Sequence, residues 1–143
     1  MRTEVRVRVV GLVFADERVL VVEHQVETQR WHCFPGGELE CDEVPEQGVR
    51  RELVEELNLE CEVGALVAIG YHLGDAGQSV EMYFHCTATE RQLMSRSDHV
   101  VSAQFVHLSE LQALRVFPLE LSDALASDPE GALASLRYYG RFS

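Results

Sequence analysis

Three glutamates, Glu52, Glu55 and Glu56, lie within five consecutive positions of the sequence. On an α-helix each residue turns about 100° around the axis, so these three side chains would share an arc of about 100°. Carboxylates clustered on a rigid element form a hard, oxygen-rich site that suits Mg²⁺ or Mn²⁺, which also accept phosphate oxygens as ligands. The alternative interpretation is a solvated acidic helix face with no ligand.

The residues around these glutamates continue the pattern. Segment 37–59 resembles the Nudix box, a motif of the form G-x5-E-x7-R-E-U-x-E-E-x-G-U in which U is aliphatic. The matching positions are Gly37, Glu43, Arg51, Glu52, Leu53, Glu55, Glu56 and Leu59. The preceding residues Phe34, Pro35 and Gly36 match the usual lead-in, and Asn58 departs from the motif, which has glycine there. Because asparagine tolerates a left-handed backbone better than other non-glycine residues, we expect this departure to affect the loop and hardly the metal ligands.

The resemblance implies a metal site and catalytic residues. The implied metal ligands are Glu52, Glu55, Glu56 and the backbone carbonyl of Gly36, and the implied cofactor is Mg²⁺, or alternatively Mn²⁺. Arg51 and Glu43 would pair, which fits the ability of an arginine fork to hold a carboxylate and so fix a loop against a helix. Glu55 or Glu56 would take the proton of the attacking water.

An acidic residue outside the box often joins the site in this family. Asp98, just ahead of a predicted strand, is the candidate for this additional ligand or base. The alternative interpretation is that Asp98, beside Ser97, only forms a turn.

The activity implied by the resemblance is metal-dependent hydrolysis of a nucleoside diphosphate linked to another moiety. We expect (deoxy)nucleoside triphosphates, including damaged ones, as substrates. The alternatives are an ADP-ribose or nucleotide-sugar pyrophosphatase and a Nudix module that senses a nucleotide without cleaving it. A module that only senses would not need every metal-ligating position of the box, and here all of them are filled.

Several residues outside the box have the chemistry to bind such a substrate. Arg8 and Arg30 are candidates for phosphate contacts. The candidates for stacking on a base are Trp31, Tyr71, His72, Tyr83 and Phe84. For Trp31, packing against the Pro-Gly-Gly loop is the alternative.

The elements that must position these residues follow from the hydrophobic pattern. A helix is predicted over Pro45–Leu57, with Val49, Leu53 and Leu57 as a buried stripe beside the carboxylates. Strands are predicted over 5–14, 19–22, 61–71, 80–89 and 100–106, with a polar loop over 24–29 and the Pro-Gly-Gly sequence ending any strand. Further helices are predicted over 109–114, with Ser109 as N-cap, 119–126 and 129–136. This order predicts an α/β (α+β) fold with a mixed central sheet and helices packed on its faces, as a single domain over 1–143. The resemblance implies that this fold is the α/β/α sandwich of the Nudix type.

Composition excludes other classes of function. The 143 residues carry a formal charge of −12, of which −8 lies in segment 38–62. This acidity argues against binding to nucleic acid or to an anionic membrane surface. No apolar run approaches the roughly 20 residues of a membrane helix, and the start lacks the features of a secretory signal, so a cytoplasmic protein is expected. The partner expected is a small nucleotide-type substrate; homodimers are common in the family that the sequence resembles, but no residue pattern marks an interface.

Overall fold

The computed structural model describes residues 4–75, 77–88 and 98–143. The strands are β1 (Val5–Ala15), β2 (Arg18–Val26), β3 (Gln29–Cys33), β4 (Gly36–Glu38), β5 (Glu62–Gly74), β6 (Gly77–Thr87), β7 (Val100–His107), β8 (Val116–Phe117) and β9 (Arg137–Arg141). The helices are α1 (Pro45–Leu57), α2 (Leu111–Leu114), α3 (Leu119–Ser127) and α4 (Pro129–Ala134), with a 3₁₀ turn at Leu108–Glu110 ahead of α2. Ser97 and Thr89, the last residue of the strand predicted over 80–89, lie outside the described residues.

The strands form one mixed sheet in the order β8-β3-β2-β1-β6-β5-β9, with β4 paired to β1 and β7 paired to β2. The pairs β1–β6, β3–β8 and β5–β9 are parallel, and the remaining pairs are antiparallel. Strand β1 is central, since β6 lies along one edge while β4 and β2 share the other edge. The predicted mixed sheet is therefore confirmed.

Two hydrophobic cores lie on opposite faces of this sheet. Side chains alternate along β1, so Val9 and Val13 pack against α1, whereas Val10 and Leu12 pack in the core that contains residues of α2, α3 and α4. The continuous apolar run of β1 is thus explained by burial on both faces. The result is three layers with helices on both sides of the sheet, as the sequence predicts.

Helix α1 has the predicted bounds. Pro45 occupies the first turn, and Asn58 ends the helix with φ 54° and ψ 36°, which is the left-handed conformation. The three buried stripe residues Val49, Leu53 and Leu57 are each at most 1% exposed. The acidic flank of α1 is consequently held in a fixed direction relative to β1 and β4.

Three predictions about local structure are wrong. The polar stretch 24–29 is the end of a β2–β3 hairpin, because His24 and Trp31 pair across the strands and stack at 5.6 Å between ring centroids. The Pro-Gly-Gly sequence does not end all strand structure, because Gly36 begins β4. A side chain at this position would collide with the backbone of Val9. The cap before the 3₁₀ turn is His107, whose Nδ1 accepts a hydrogen bond from the backbone of Ser109, so Ser109 is not the N-cap.

The sequence also missed two short strands, β8 and β9, because their pairing to β3 and β5 depends on distant parts of the chain. Strand β9 shortens the last predicted helix, which ends at residue 134 instead of 136. None of the helices in the described ranges is long and apolar enough to cross a membrane.

Candidate active site

Arg51 fastens the loop before α1 to the helix. Its Nε donates to Glu43 Oε2 at 2.7 Å and its Nη2 donates to Glu43 Oε1 at 3.0 Å, which is a bidentate pair. Nη2 also donates to the backbone oxygen of Glu38 at 3.0 Å. The hydrogen bonds from Arg51 and from the backbone of Glu40 lower the pKa of the Glu43 carboxyl, and those to Glu43 and Glu52 raise the pKa of Arg51. The ion pair that the resemblance implies is present in the structure.

The three glutamates of α1 differ in their surroundings. Glu52 Oε1 accepts a hydrogen bond from Arg51 Nη1 at 2.9 Å, and its side chain is only 12% exposed. Glu55 is 57% exposed and lies 3.2 Å from the same nitrogen. Glu56 is partly buried, and its Oε2 is buried without a hydrogen-bond partner. Burial first, and the negative charge of Glu52 second, raise the pKa of Glu56 to about 7.

These residues fit a divalent cation. An unpartnered buried carboxylate oxygen on Glu56, next to a second carboxylate on Glu52, is costly without a compensating positive charge. Gly37 leaves the space that Glu52 fills, since a Cβ on Gly37 would collide with the Glu52 carboxyl group. Within the described residues no three acidic, histidine or cysteine side chains already surround one point. Arg51 explains part of this absence. Its Nη1 donates hydrogen bonds to the carboxylates of Glu52 and Glu55 and so keeps both close to the guanidinium.

A cavity of about 550 Å³ lies on the opposite face of the sheet from α1, where Val10 of β1 is part of its lining. Its aromatic walls are Trp31, Phe34, Tyr83, Phe117 and Phe142. Its wall includes Cys33 at the end of β3, and the glutamates of α1 are not among the described residues that line it. Burial is the main cause that raises the pKa of the Cys33 thiol to about 12. A cavity of this volume accommodates a nucleotide-sized molecule.

Charged groups also line the cavity. Arg8 of β1 and Glu81 of β6 are paired in register and lie 3.6 Å apart between Arg8 Nε and Glu81 Oε2. The hydroxyl of Tyr83 donates to Glu81 Oε1 at 2.9 Å. Burial raises the pKa of Tyr83, which is 3% exposed, so this hydroxyl stays a donor at neutral pH.

The structure brings only some of the predicted binding residues together. Arg8, Tyr83, Trp31 and His72 line the cavity. Arg30 does not: it is exposed on β3 next to Trp31, and neighbouring residues of a strand point to opposite faces.

Because side chains alternate along a strand, two of the predicted stacking residues do not face the cavity. Tyr71 precedes His72 on β5 and points away from the cavity. Phe84 follows Tyr83 and is buried in the core against α1. Sequence alone could not assign these faces because the register of β5 and β6 was unknown.

Asp98 lies in an exposed turn ahead of β7. The next residue, His99, accepts a hydrogen bond from the backbone of Gln25 at 2.8 Å, which places this turn beside the β2–β3 hairpin. Asp98 is not among the residues that line the cavity.

Sequence reasoning missed Glu81, Phe117 and Phe142 as cavity residues. Glu81 had a usable signal, because it is the only charged residue in the apolar run from Val80 to Phe84. Phe142 had none, since it reaches the site through the pairing of β9 with β5.

Comparison with known proteins gives concordant results. The sequence profile of the NUDIX domain matches residues 4–125. A MutT-like protein of Streptomyces ambofaciens is 31% identical over 121 residues, which cover 83% of this chain and 76% of that protein. The crystal structure of a NUDIX hydrolase from Nitrosomonas europaea superposes with a TM-score of 0.78 at 18% identity, over 99% of this chain and 80% of that one. The solution structure of the E. coli ORF135 protein gives a TM-score of 0.73 at 22% identity, over 87% and 92% of the two chains.

Proposed function

The chain belongs to the NUDIX family of hydrolases, which act on pyrophosphate bonds, and we propose that it is a divalent-cation-dependent pyrophosphohydrolase of (deoxy)nucleoside triphosphates, including damaged ones. The observation that carries this proposal is the unpartnered buried oxygen of Glu56, beside the carboxylate of Glu52, in a protein whose sheet also forms a nucleotide-sized cavity. The carboxylates suit a cation that carries phosphate oxygens, and the aromatic walls suit a base.

In this proposal Glu52, Glu55, Glu56 and the carbonyl of Gly36 would hold Mg²⁺, or Mn²⁺ in its place. When bound, such an ion neutralises the diphosphate and makes a coordinated water more acidic. Glu55, 57% exposed, or Glu56 accepts the proton of the attacking water, depending on which of them is not committed to the ion.

The remaining residues bind and orient. Arg51 and Glu43 keep the loop and α1 in one arrangement through the bidentate pair, and they act as positioning residues. Arg8 lines the cavity, where its guanidinium would contact a phosphate. Tyr83 also lines the cavity, where its ring would contact the substrate. Arg30 does not line the cavity and receives no role. Asp98 stays a candidate for the additional ligand or base, because the glutamates of α1 do not line the cavity either.

Charge supports a small substrate. The net charge of −12 opposes a nucleic-acid partner, and the −8 concentrated in segment 38–62 would be reduced by bound divalent cations. A cytoplasmic location and a homodimer stay predictions.

The test is turnover of a nucleotide panel with and without Mg²⁺ or Mn²⁺, with products resolved by chromatography. We expect a nucleoside monophosphate and pyrophosphate from a triphosphate, only with the metal. Glu56→Gln should lower kcat at least about 100-fold, because the interaction that it removes acts on the reacting groups. Glu46→Gln is the matched control: Glu46 is exposed in the first turn of the same helix, and its loss should leave turnover unchanged.

Other outcomes separate the alternatives. Turnover of ADP-ribose or a nucleotide sugar in preference to every triphosphate would replace the substrate assignment. Saturable nucleotide binding without turnover of any member would favour a sensing module. Full activity of Glu56→Gln would contradict the metal-site assignment.

A further inference from the structure

Glu81 is a charged residue of the cavity lining that none of the roles above uses. It lies on β6 between Arg8 of β1 and Gly70 of β5 in the strand register. Its side chain is 17% exposed, and it lines the cavity. A carboxylate at this depth must have a partner or contact a ligand, because burying its charge alone is unfavourable.

Two neighbouring side chains orient the Glu81 carboxylate and leave some of its hydrogen-bond acceptor positions unused. Tyr83 donates to Oε1 at 2.9 Å, and Arg8 Nε lies 3.6 Å from Oε2. An ionised carboxylate has about four acceptor positions and no donor. One further hydrogen bond to each oxygen is therefore possible from the cavity side, and the two oxygens present a fixed pair of acceptors.

The signs of two neighbouring charges decide which part of a nucleotide meets Glu81. Arg8 and Glu81 both line the cavity, and 3.6 Å separates Arg8 Nε from Glu81 Oε2. Phosphate groups belong with Arg8 and the cation site, since Glu81 would repel them. The part of the substrate that reaches Glu81 is then its neutral end, among Trp31 and Phe117 of the aromatic walls.

We propose that Glu81 determines base specificity and selects a guanine-type edge, which presents two neighbouring N–H donors to its two oxygens. Adenine and cytosine place an acceptor beside their amino group, and uracil and thymine flank one N–H with two carbonyl oxygens; each brings an acceptor against the carboxylate. Tyr83 is a positioning residue that holds the carboxylate at the angle required. The inference rests on the proposed function, in that it takes the cavity to be the nucleotide site.

The test measures equilibrium binding of GMP, IMP and AMP without metal through the fluorescence of Trp31, the single tryptophan of the chain, which lines the cavity. The wild type should bind GMP at least about tenfold more tightly than IMP, which lacks the 2-amino group, and than AMP. Glu81→Gln should lose this preference and shift toward AMP, because an amide offers one donor and one acceptor. Tyr83→Phe should weaken the preference for GMP while keeping the carboxylate.

Glu62→Gln is the control, since Glu62 is exposed at the start of β5 outside the cavity, and it should bind as the wild type does. An equal loss of affinity for all three monophosphates in Glu81→Gln, an unchanged preference, or no binding by the wild type would each overturn the inference. Turnover of the nucleotide panel is scored separately. Turnover with an unchanged preference in Glu81→Gln refutes this inference alone, whereas a switched preference without any turnover refutes only the proposed hydrolysis.

Discussion

Arg51 connects more of the site than any other residue of α1. It holds Glu43 through two hydrogen bonds, the backbone of Glu38 through a third, and Glu52 and Glu55 through Nη1. A planar guanidinium can make these bonds at once, whereas a lysine ammonium could not reproduce the bidentate geometry. At the scale of single residues, Arg51 therefore fixes the carboxylates of α1 and the loop before α1 relative to each other.

The pair between Glu43 and Arg51 predicts a pH-dependent stability. Because the folded protein has a lowered pKa at Glu43, the ionised carboxylate stabilises the fold fully above its unfolded pKa of about 4.3, and this contribution is lost as the pH falls through the lower folded value. Glu43→Gln should therefore lower the Tm at pH 7, and the gap to the wild type should shrink as the pH falls from about 5 to 3. Thermal unfolding followed by circular dichroism in EDTA measures it.

Glu40→Gln serves as the comparison for this prediction. Glu40 is an exposed neighbour that lies 3.5 Å from Arg51, and its removal should change the Tm little at any pH. A gap between wild type and Glu43→Gln that stayed constant from pH 7 to pH 3 would show that the carboxylate charge is not the cause.

At the scale of elements, α1 was predictable because its signals are local. Pro45 at its start, an apolar stripe of period 3.6 and Asn58 at its end all lie within the helix or beside it. The β2–β3 hairpin was not predictable in this way, because its polar residues form an exposed ribbon with no hydrophobic alternation. The partnership of Glu81 with Arg8 was hidden for a related reason: it depends on the parallel register of β1 and β6, which are about 70 residues apart in the chain.

The end of α1 allows a second prediction. Asn58 has φ 54°, and its N–H donates to Val54 at 3.0 Å, while Leu59 donates to Leu53 at 3.2 Å and is itself buried in the core. Asn58→Ala should lower the free energy of unfolding by about 1 kcal/mol, because a Cβ-bearing residue without a local polar group resists the left-handed conformation. Asn58→Gly should be at least as stable as the wild type.

Urea unfolding of the three proteins measures these differences. Asn58 is exposed, so packing changes do not enter the comparison. If alanine and glycine at this position gave the same stability, the left-handed backbone at the end of α1 would not be the determinant.

At the scale of the whole molecule, the two cores of the three-layer fold support different parts of the site. The core against α1 sets the direction of the acidic helix face, and the other core forms the cavity wall with residues of β3 and β8 and with Phe142, which follows β9. The sequence predicted these layers from the order of strands and helices and from the resemblance to the Nudix family. It could not predict the cavity, because Phe117 belongs to β8 and Phe142 directly follows β9, and these short strands lie at opposite edges of the sheet.

The uneven charge predicts that divalent cations stabilise the whole fold. Segment 38–62 carries −8, and like charges held on one side of the molecule repel each other and cost stability. Mg²⁺ or Mn²⁺ that binds only the folded state should raise the Tm progressively with concentration, by an amount that corresponds to about 2.7 kcal/mol at 100 times the Kd. NaCl at equal ionic strength should give a smaller rise, because it screens charge without occupying the site. Glu56→Gln and Glu46→Gln each replace one carboxyl group of α1 with an amide, but of the two residues only Glu56 has a buried, unpartnered oxygen. The metal-induced shift should therefore be lost in Glu56→Gln and kept in Glu46→Gln, and an equal loss in both variants would mean that general screening, not a specific site, produces the stabilisation.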